Sequence, residues 1–95
     1  MLKALTDGSV AGTGTFTFPS NFQGGILGGV LITTDGTNAA VVTVQRTDSS
    51  GKNIFKISTK QPLMIMAPFG MEGATVAYYS VSGTGAAAQF FEWCE

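Results

Sequence analysis

The sequence contains no histidine, one cysteine, three prolines and few charged side chains. Histidine is the side chain that serves most often as a general base and as a metal ligand, so its absence removes the usual basis for both. The single cysteine, Cys94, excludes a disulfide within the chain, and no histidine is present to activate it as a nucleophile. These absences predict a protein that is not an enzyme and that uses neither a cofactor nor a metal.

Charge is sparse and evenly mixed along the chain. Five Lys and Arg residues balance six Asp and Glu residues, and together they make up 12% of the sequence, against about 25% in a typical soluble domain. Without a basic block the chain is predicted to bind neither nucleic acid nor an anionic membrane, and its most apolar stretch, residues 26–32, is too short to span a bilayer. The low charge is explained either by neighbouring subunits that cover much of the surface or by a well-hydrated, Thr-rich β surface.

Turn signals built from Asp-Gly, Pro and Gly recur along the whole chain and separate short β-rich runs. In residues 12–18, threonines alternate with Gly and Phe, which is the period of a half-buried strand with its aromatic face inward. The pattern predicts one all-β domain over residues 1–95, an antiparallel β-sandwich or jelly roll of about seven to eight short strands with no helix. Its predicted strands are residues 12–18, 23–33, 39–46, 53–59, 63–67, 74–82 and 87–94, the last two joined as a hairpin.

Most carboxylates stand beside Gly or Ser in the predicted turns. An aspartate is favoured there because its side chain accepts hydrogen bonds from backbone N–H groups, so Asp35 and Asp48 are predicted to be structural. The turn at residues 48–51 carries only one carboxylate, which is too few for a calcium loop.

Apolar side chains exceed what one core of this size can bury. Residues 63–67 are apolar at every position, residues 68–73 form a predicted loop with Phe and Met, and two aromatic pairs stand side by side at residues 78–79 and 90–91. Adjacent strand residues point to opposite faces, so each pair must place one ring outside the core. These residues either complete a two-sided core and its caps or form contacts with other subunits. The candidate interface residues are Leu63, Met64, Met66, Phe69, Met71, Tyr78, Tyr79, Phe90, Phe91 and Trp93.

Three features characterise the chain as a whole. They are a Thr- and Gly-rich predicted strand at residues 12–18, an Asp-Gly-Thr-Asn turn at residues 35–38 and an aromatic terminal strand ending in Glu92-Trp93. The chain resembles the small β-structured virion proteins of tailed bacteriophages, particularly capsid decoration or cement proteins. The resemblance implies a homo-oligomer, often a trimer, that sits in the virion and reinforces contacts between capsomers. It contains no diagnostic motif, so no functional residue carries over.

A carbohydrate- or receptor-binding β module is the competing hypothesis. Such modules place exposed aromatic rings beside carboxylates or amides at one site. Gln89, Glu92 and Trp93 are the one cluster in the sequence that could supply them.

Overall fold

A computed structural model describes residues 2–18, 26–71 and 73–93, and every regular element in this part of the chain is a β-strand. The prediction of an all-β fold is therefore confirmed. Predicted strand residues 23–25 and Cys94 lie outside the described residues. The eight strands are β1 (Leu2–Ala4), β2 (Gly12–Thr17), β3 (Ile26–Thr33), β4 (Ala40–Arg46), β5 (Asn53–Thr59), β6 (Leu63–Gly70), β7 (Val76–Ser82) and β8 (Ala87–Trp93).

No helix in the described ranges is long and apolar enough to cross a membrane.

The strands form two four-stranded antiparallel sheets, sheet A in the order β1-β8-β3-β6 and sheet B in the order β2-β7-β4-β5. The pairing is nested, since β1 pairs with β8, β2 with β7, β3 with β6 and β4 with β5. The chain is thus one long antiparallel ribbon that folds on itself. Two further pairings, β3 with β8 and β4 with β7, join strands of the ribbon side by side into the two sheets. This is the strand order of a jelly roll.

The core lies between the two sheets and follows from the alternation of side chains along each strand. Phe16 and Phe18 are buried as their predicted inward face requires, and their ring centroids are 5.4 Å apart in an edge-to-face contact. Phe90 reaches Phe16 from the opposite sheet, with 5.0 Å between the ring centroids. Aliphatic residues fill the rest of the core; those with no exposed surface are Leu27, Val30, Ile32, Ala40, Val42, Val44, Ala77 and Ala88.

The predicted hairpin between the last two strands is wrong. Strand β7 lies in sheet B and β8 in sheet A, so the turn between them carries the chain from one sheet to the other. Gly83 and Gly85 adopt φ of 117° and 73° in this turn, a region open to glycine at little cost. Turn residues show where a strand ends, but they do not specify whether the flanking strands pair with each other.

The predicted apolar loop after residue 67 is also corrected, because β6 continues to Gly70 and places Phe69 in the strand. Pro68 does not stop the strand for two reasons. Strand β6 lies at an edge of sheet A, and its register with β3 shifts between Leu27 and Gly29, where a bulge forms. Edges and bulges are the positions at which a strand tolerates proline, because no ladder hydrogen bond is lost there.

Strand β1 was not predicted, since its three residues are too few to show a period. It is held by antiparallel pairing with the end of β8, with Leu2 opposite Trp93 and Ala4 opposite Phe91. The amide of Leu5 extends this contact by donating to the Phe90 carbonyl at 2.8 Å.

The prediction that Asp35 and Asp48 are structural is confirmed. The Asp35 Oδ1 atom accepts hydrogen bonds from the backbone amides of Thr37 and Asn38, each at 2.8 Å. In the second turn, the Asp48 Oδ1 atom accepts one from the Ser50 amide at 2.9 Å. Both carboxylates thus satisfy backbone donors of their own turns.

Thr47 is the one non-glycine residue with positive φ in the described part of the chain, at 69°. An L side chain in this conformation costs about 1–2 kcal/mol, and a β-branched one is disfavoured most. We expect Thr47→Asn to raise the melting temperature by several degrees, since asparagine tolerates this region. The amide of residue 47 keeps its hydrogen bond to the Val76 carbonyl in the variant. Thermal unfolding followed by circular dichroism measures the change.

The matched control is Ser49→Asn, at an exposed position of the same turn where φ is not positive. Equal melting temperatures for the wild type and both variants would show that the turn stores no strain at Thr47.

The Asp35 turn predicts an acid-dependent loss of stability. Hydrogen bonds from the Asn38 amide, the Asn38 side chain and the Thr37 amide hold the pKa of the Asp35 carboxyl below its ordinary value of 3.8. A lowered folded-state pKa means that the stabilisation is present above the ordinary value and is lost as pH falls through the folded-state pKa. We expect Asp35→Asn to flatten the fall of melting temperature in this acidic range. Melting curves of variant and wild type that decline in parallel would contradict this role.

Candidate functional site

Most outward residues of sheet A are apolar, and they are contributed by all four strands. Residues directly opposite each other in antiparallel strands share a face of the sheet. One such row runs Ala4, Phe91, Gly29, Met66, and a second brings Leu31 between Gln89 and Met64. None of the outward residues of these rows is charged. We call this surface the apolar face, and it consists of Leu2, Ala4, Gly28, Gly29, Leu31, Met64, Met66, Pro68, Phe91 and Trp93.

Three large side chains of the apolar face project into solvent, with exposed fractions of 62% for Met66, 41% for Trp93 and 39% for Met64. Beside them is a groove of about 330 Å³ lined by Gly28, Met66, Pro68 and Trp93. The apolar face therefore combines projecting side chains with a depression between them. Small-molecule sites orient a ligand with convergent polar side chains, and the part of the groove lining that the structure describes has no carboxylate, amide or hydroxyl group.

Gly28 lines the groove with bare backbone. In the β3–β8 pairing the register shifts between Leu27 and Gly29, so Gly28 has no partner on β8 and bulges outward. A Cβ atom built on Gly28 would lie 2.7 Å from Leu2 Cδ2 and 2.9 Å from the Trp93 backbone nitrogen. Leu2 and Trp93 thus close over bare backbone, and only glycine fits beneath them.

Four of the candidate interface residues lie together on the apolar face: Met64, Met66, Phe91 and Trp93. The prediction that each aromatic pair sends one ring out of the core is confirmed for residues 90 and 91, since Phe90 is fully buried and Phe91 is opposite Ala4 and Gly29 on the outer surface. Their function as an interface stays a prediction.

Five other candidates lie outside the apolar face, and two of them are too deeply buried to contact another subunit. Phe90 and Met71 belong to the core, with 0% and 1% of their surfaces exposed. Tyr79 packs on that core, and its ring lies 5.5 Å from that of Phe90. Phe69 is half-buried and contacts the ring of Phe55 edge-on at 5.3 Å between centroids, which matches the alternative that it caps the core. Leu63 is half-buried at the start of β6.

Tyr78 is separated from the other candidates because it lies on sheet B. It is half-buried and stands between Thr15 and Gln45 on the outward surface of that sheet. A parallel row contains Thr13, Ser80 and Thr43. The outward surface of sheet B is thus rich in hydroxyl groups, in contrast to the apolar face.

The cluster predicted for carbohydrate binding does not assemble. Glu92 is fully buried on the core side of β8, whereas Trp93 is next to it in sequence and lies on the opposite face. Gln89 shares the outer surface with Trp93, but Phe91 stands between them along the strand. The carboxylate is therefore not available to a ligand at Trp93.

Leu2, Leu31, Gly28 and Pro68 contribute to the apolar face and were not predicted as site residues. The alternation in β3, with Val30 and Ile32 inward, carries a signal for Leu31. No local pattern could place Leu2 beside Trp93, because their pairing joins the two ends of the described chain.

Among residues 2–18, 26–71 and 73–93, no three His, Cys, Asp or Glu side chains are grouped closely enough to hold one metal ion. Comparison of the chain with protein-family models, curated proteins and solved structures found no match.

We expect Gly28→Ala to destabilise the protein, because its Cβ would overlap Leu2 Cδ2 and the Trp93 backbone. Overpacking of this kind costs about 1–3 kcal/mol, which lowers the melting temperature by several degrees or more. Gly70→Ala is the control on the same sheet, since no atom lies within 4 Å of its added Cβ. Equal melting temperatures for the two variants would contradict the close packing of Leu2 and Trp93 over Gly28.

Proposed function

We propose that this protein is a structural subunit of a virus particle, of the capsid decoration type, and that the apolar face is a protein contact in the assembled particle. The observation that carries the proposal is the size and chemistry of that face. It extends over four strands, contains no charged residue and exposes Met64, Met66 and Trp93.

Such a face is costly for a protein that acts alone. Monomeric soluble proteins rarely expose contiguous apolar patches of more than a few hundred Å² without a binding function. Aromatic residues and methionine are enriched where proteins bind each other, while charged residues are depleted at the centre of the contact. The apolar face has this composition, with Phe91 and Trp93 beside Met64 and Met66.

The jelly roll is used both by viral capsid domains and by lectins, so the fold alone does not separate the two hypotheses. The virion assignment comes from the resemblance to phage decoration proteins. The site favours this hypothesis over the carbohydrate-binding alternative, because the described neighbours of Trp93 in the groove are Gly28, Met66 and Pro68. A lectin orients its sugar with convergent hydrogen-bonding groups, and the described lining of this groove contains no carboxylate, amide or hydroxyl side chain.

Co-sedimentation with phage capsids that lack the protein tests the proposal. We expect the wild type to pellet with the capsids and to raise the temperature at which they break open. Met66→Lys places a charge in the apolar face and should reduce capsid-bound protein about tenfold, as a hot-spot substitution does. Thr15→Lys adds the same charge to the exposed surface of sheet B and serves as the matched control.

If Met66→Lys binds capsids as well as the wild type does, the apolar face does not attach the protein to the capsid. A wild type that ignores capsids but binds immobilised glycans would replace the proposal with the carbohydrate-binding module.

A further inference from the structure

We propose that the partner on the apolar face is a second copy of this chain, paired face to face about a two-fold axis. The inference rests on the proposed function, because it names what covers the same surface in the assembly. Two properties of the face support it, its charge and its shape, and its area sets the expected strength of the contact.

The charge of the face suits self-association. When a surface pairs with its own copy, every charge on it meets a like charge near the axis, which opposes association. The residues of the apolar face carry no charge, and the charged Glu92 in the same strand is directed into the core with no exposed surface. Pairing of two such faces therefore removes apolar surface from water without bringing like charges together.

The shape of the face is self-complementary. A two-fold interface requires each projection to have its receiving hollow on the same surface. Met66 projects with 62% of its surface exposed, and the groove of about 330 Å³ lies directly beside it, between Pro68 and Trp93. Met66 of one copy can enter the groove of the other, and the flexible methionine side chain adapts to an irregular hollow.

The area of the face limits the dimer to a weak one. Four strands spaced about 4.8 Å apart, with at most about five residues of each at about 3.3 Å per residue, give a face of roughly 19 by 16 Å. Two such faces bury roughly 600 Å² in total, which is the size of a weak, transient contact. We therefore expect association only at high micromolar or millimolar concentration.

Face-to-face pairing differs from the trimer that the resemblance implies. The same patch on both partners generates a two-fold dimer, whereas a ring of three needs two different patches on each subunit. The mass of the assembly thus discriminates between the two arrangements.

Sedimentation velocity of the wild type across micromolar to millimolar concentrations is the first test, and we expect a monomer–dimer equilibrium. Met66→Lys should raise the dissociation constant about tenfold or more. Thr15→Lys, the matched control on sheet B, should leave it unchanged. Both substituted positions are exposed, so each variant should melt at the wild-type temperature when dilute.

Tryptophan fluorescence gives a second readout on the face itself. Trp93 is the only tryptophan of the chain and is 41% exposed. Dimerisation through the apolar face should shift its emission to shorter wavelength as concentration rises, because the indole leaves water. The shift should follow the dimer fraction from sedimentation and should be displaced to higher concentration in Met66→Lys.

A wild type that remains monomeric, an assembly of any mass other than twice the chain, or a dimer unaffected by Met66→Lys would each overturn the face-to-face pairing. These outcomes leave capsid co-sedimentation as a separate measurement. A monomer that still binds capsids would refute only the pairing, and a dimer that ignores capsids would refute only the virion function.

Discussion

The alternation of side chains along a β-strand is the constraint on which the rest of this molecule depends. Neighbouring residues point to opposite faces, and only one face of each sheet can be buried in a two-layer sandwich. In β8 this rule sends Phe90 and Glu92 inward and Phe91 and Trp93 outward. The two inward residues thus complete the core, and the two outward residues contribute to the apolar face. The same alternation places the Glu92 carboxylate on the opposite side of the sheet from Trp93.

Nested pairing of the ribbon determines which strands share that surface. Leu2, Leu31, Met66 and Trp93 are far apart in sequence, yet β1, β8, β3 and β6 lie side by side in sheet A. The groove in this layer of side chains lies at the bulge of Gly28. Sheet B contains no comparable surface among its described residues, because Thr13, Thr15, Thr43 and Ser80 occupy its outward rows. The two faces of the sandwich are therefore chemically different.

Local patterns in the sequence predicted much of the fold. Strands β4 and β5 were predicted within one residue of their bounds, since β4 is dense in valine and Phe55 and Ile57 of β5 alternate with polar residues. Phe16 and Phe18 were assigned to the core, and Asp35 and Asp48 to structural turns, from interactions within a few residues. The errors arose where a distant partner decides the outcome. Phe69 continues a strand because β6 is an edge strand with a bulge, and β7 and β8 separate because each pairs with strands from elsewhere in the chain.

The sequence by itself determined the β class, the turn chemistry and the excess of apolar side chains, because propensity, periodicity and backbone hydrogen bonding act over a few residues. It also showed that one ring of each adjacent aromatic pair must leave the core. Only the tertiary structure decided which candidates meet. Four candidates lie on the apolar face beside Leu2 and Gly28: Met64, Met66, Phe91 and Trp93. Four others pack in or against the core: Phe69, Met71, Tyr79 and Phe90. Tyr78 lies on sheet B. The reason is that strand order and register are set by long-range pairing, and a shift of one residue exchanges the inward and outward faces of a strand.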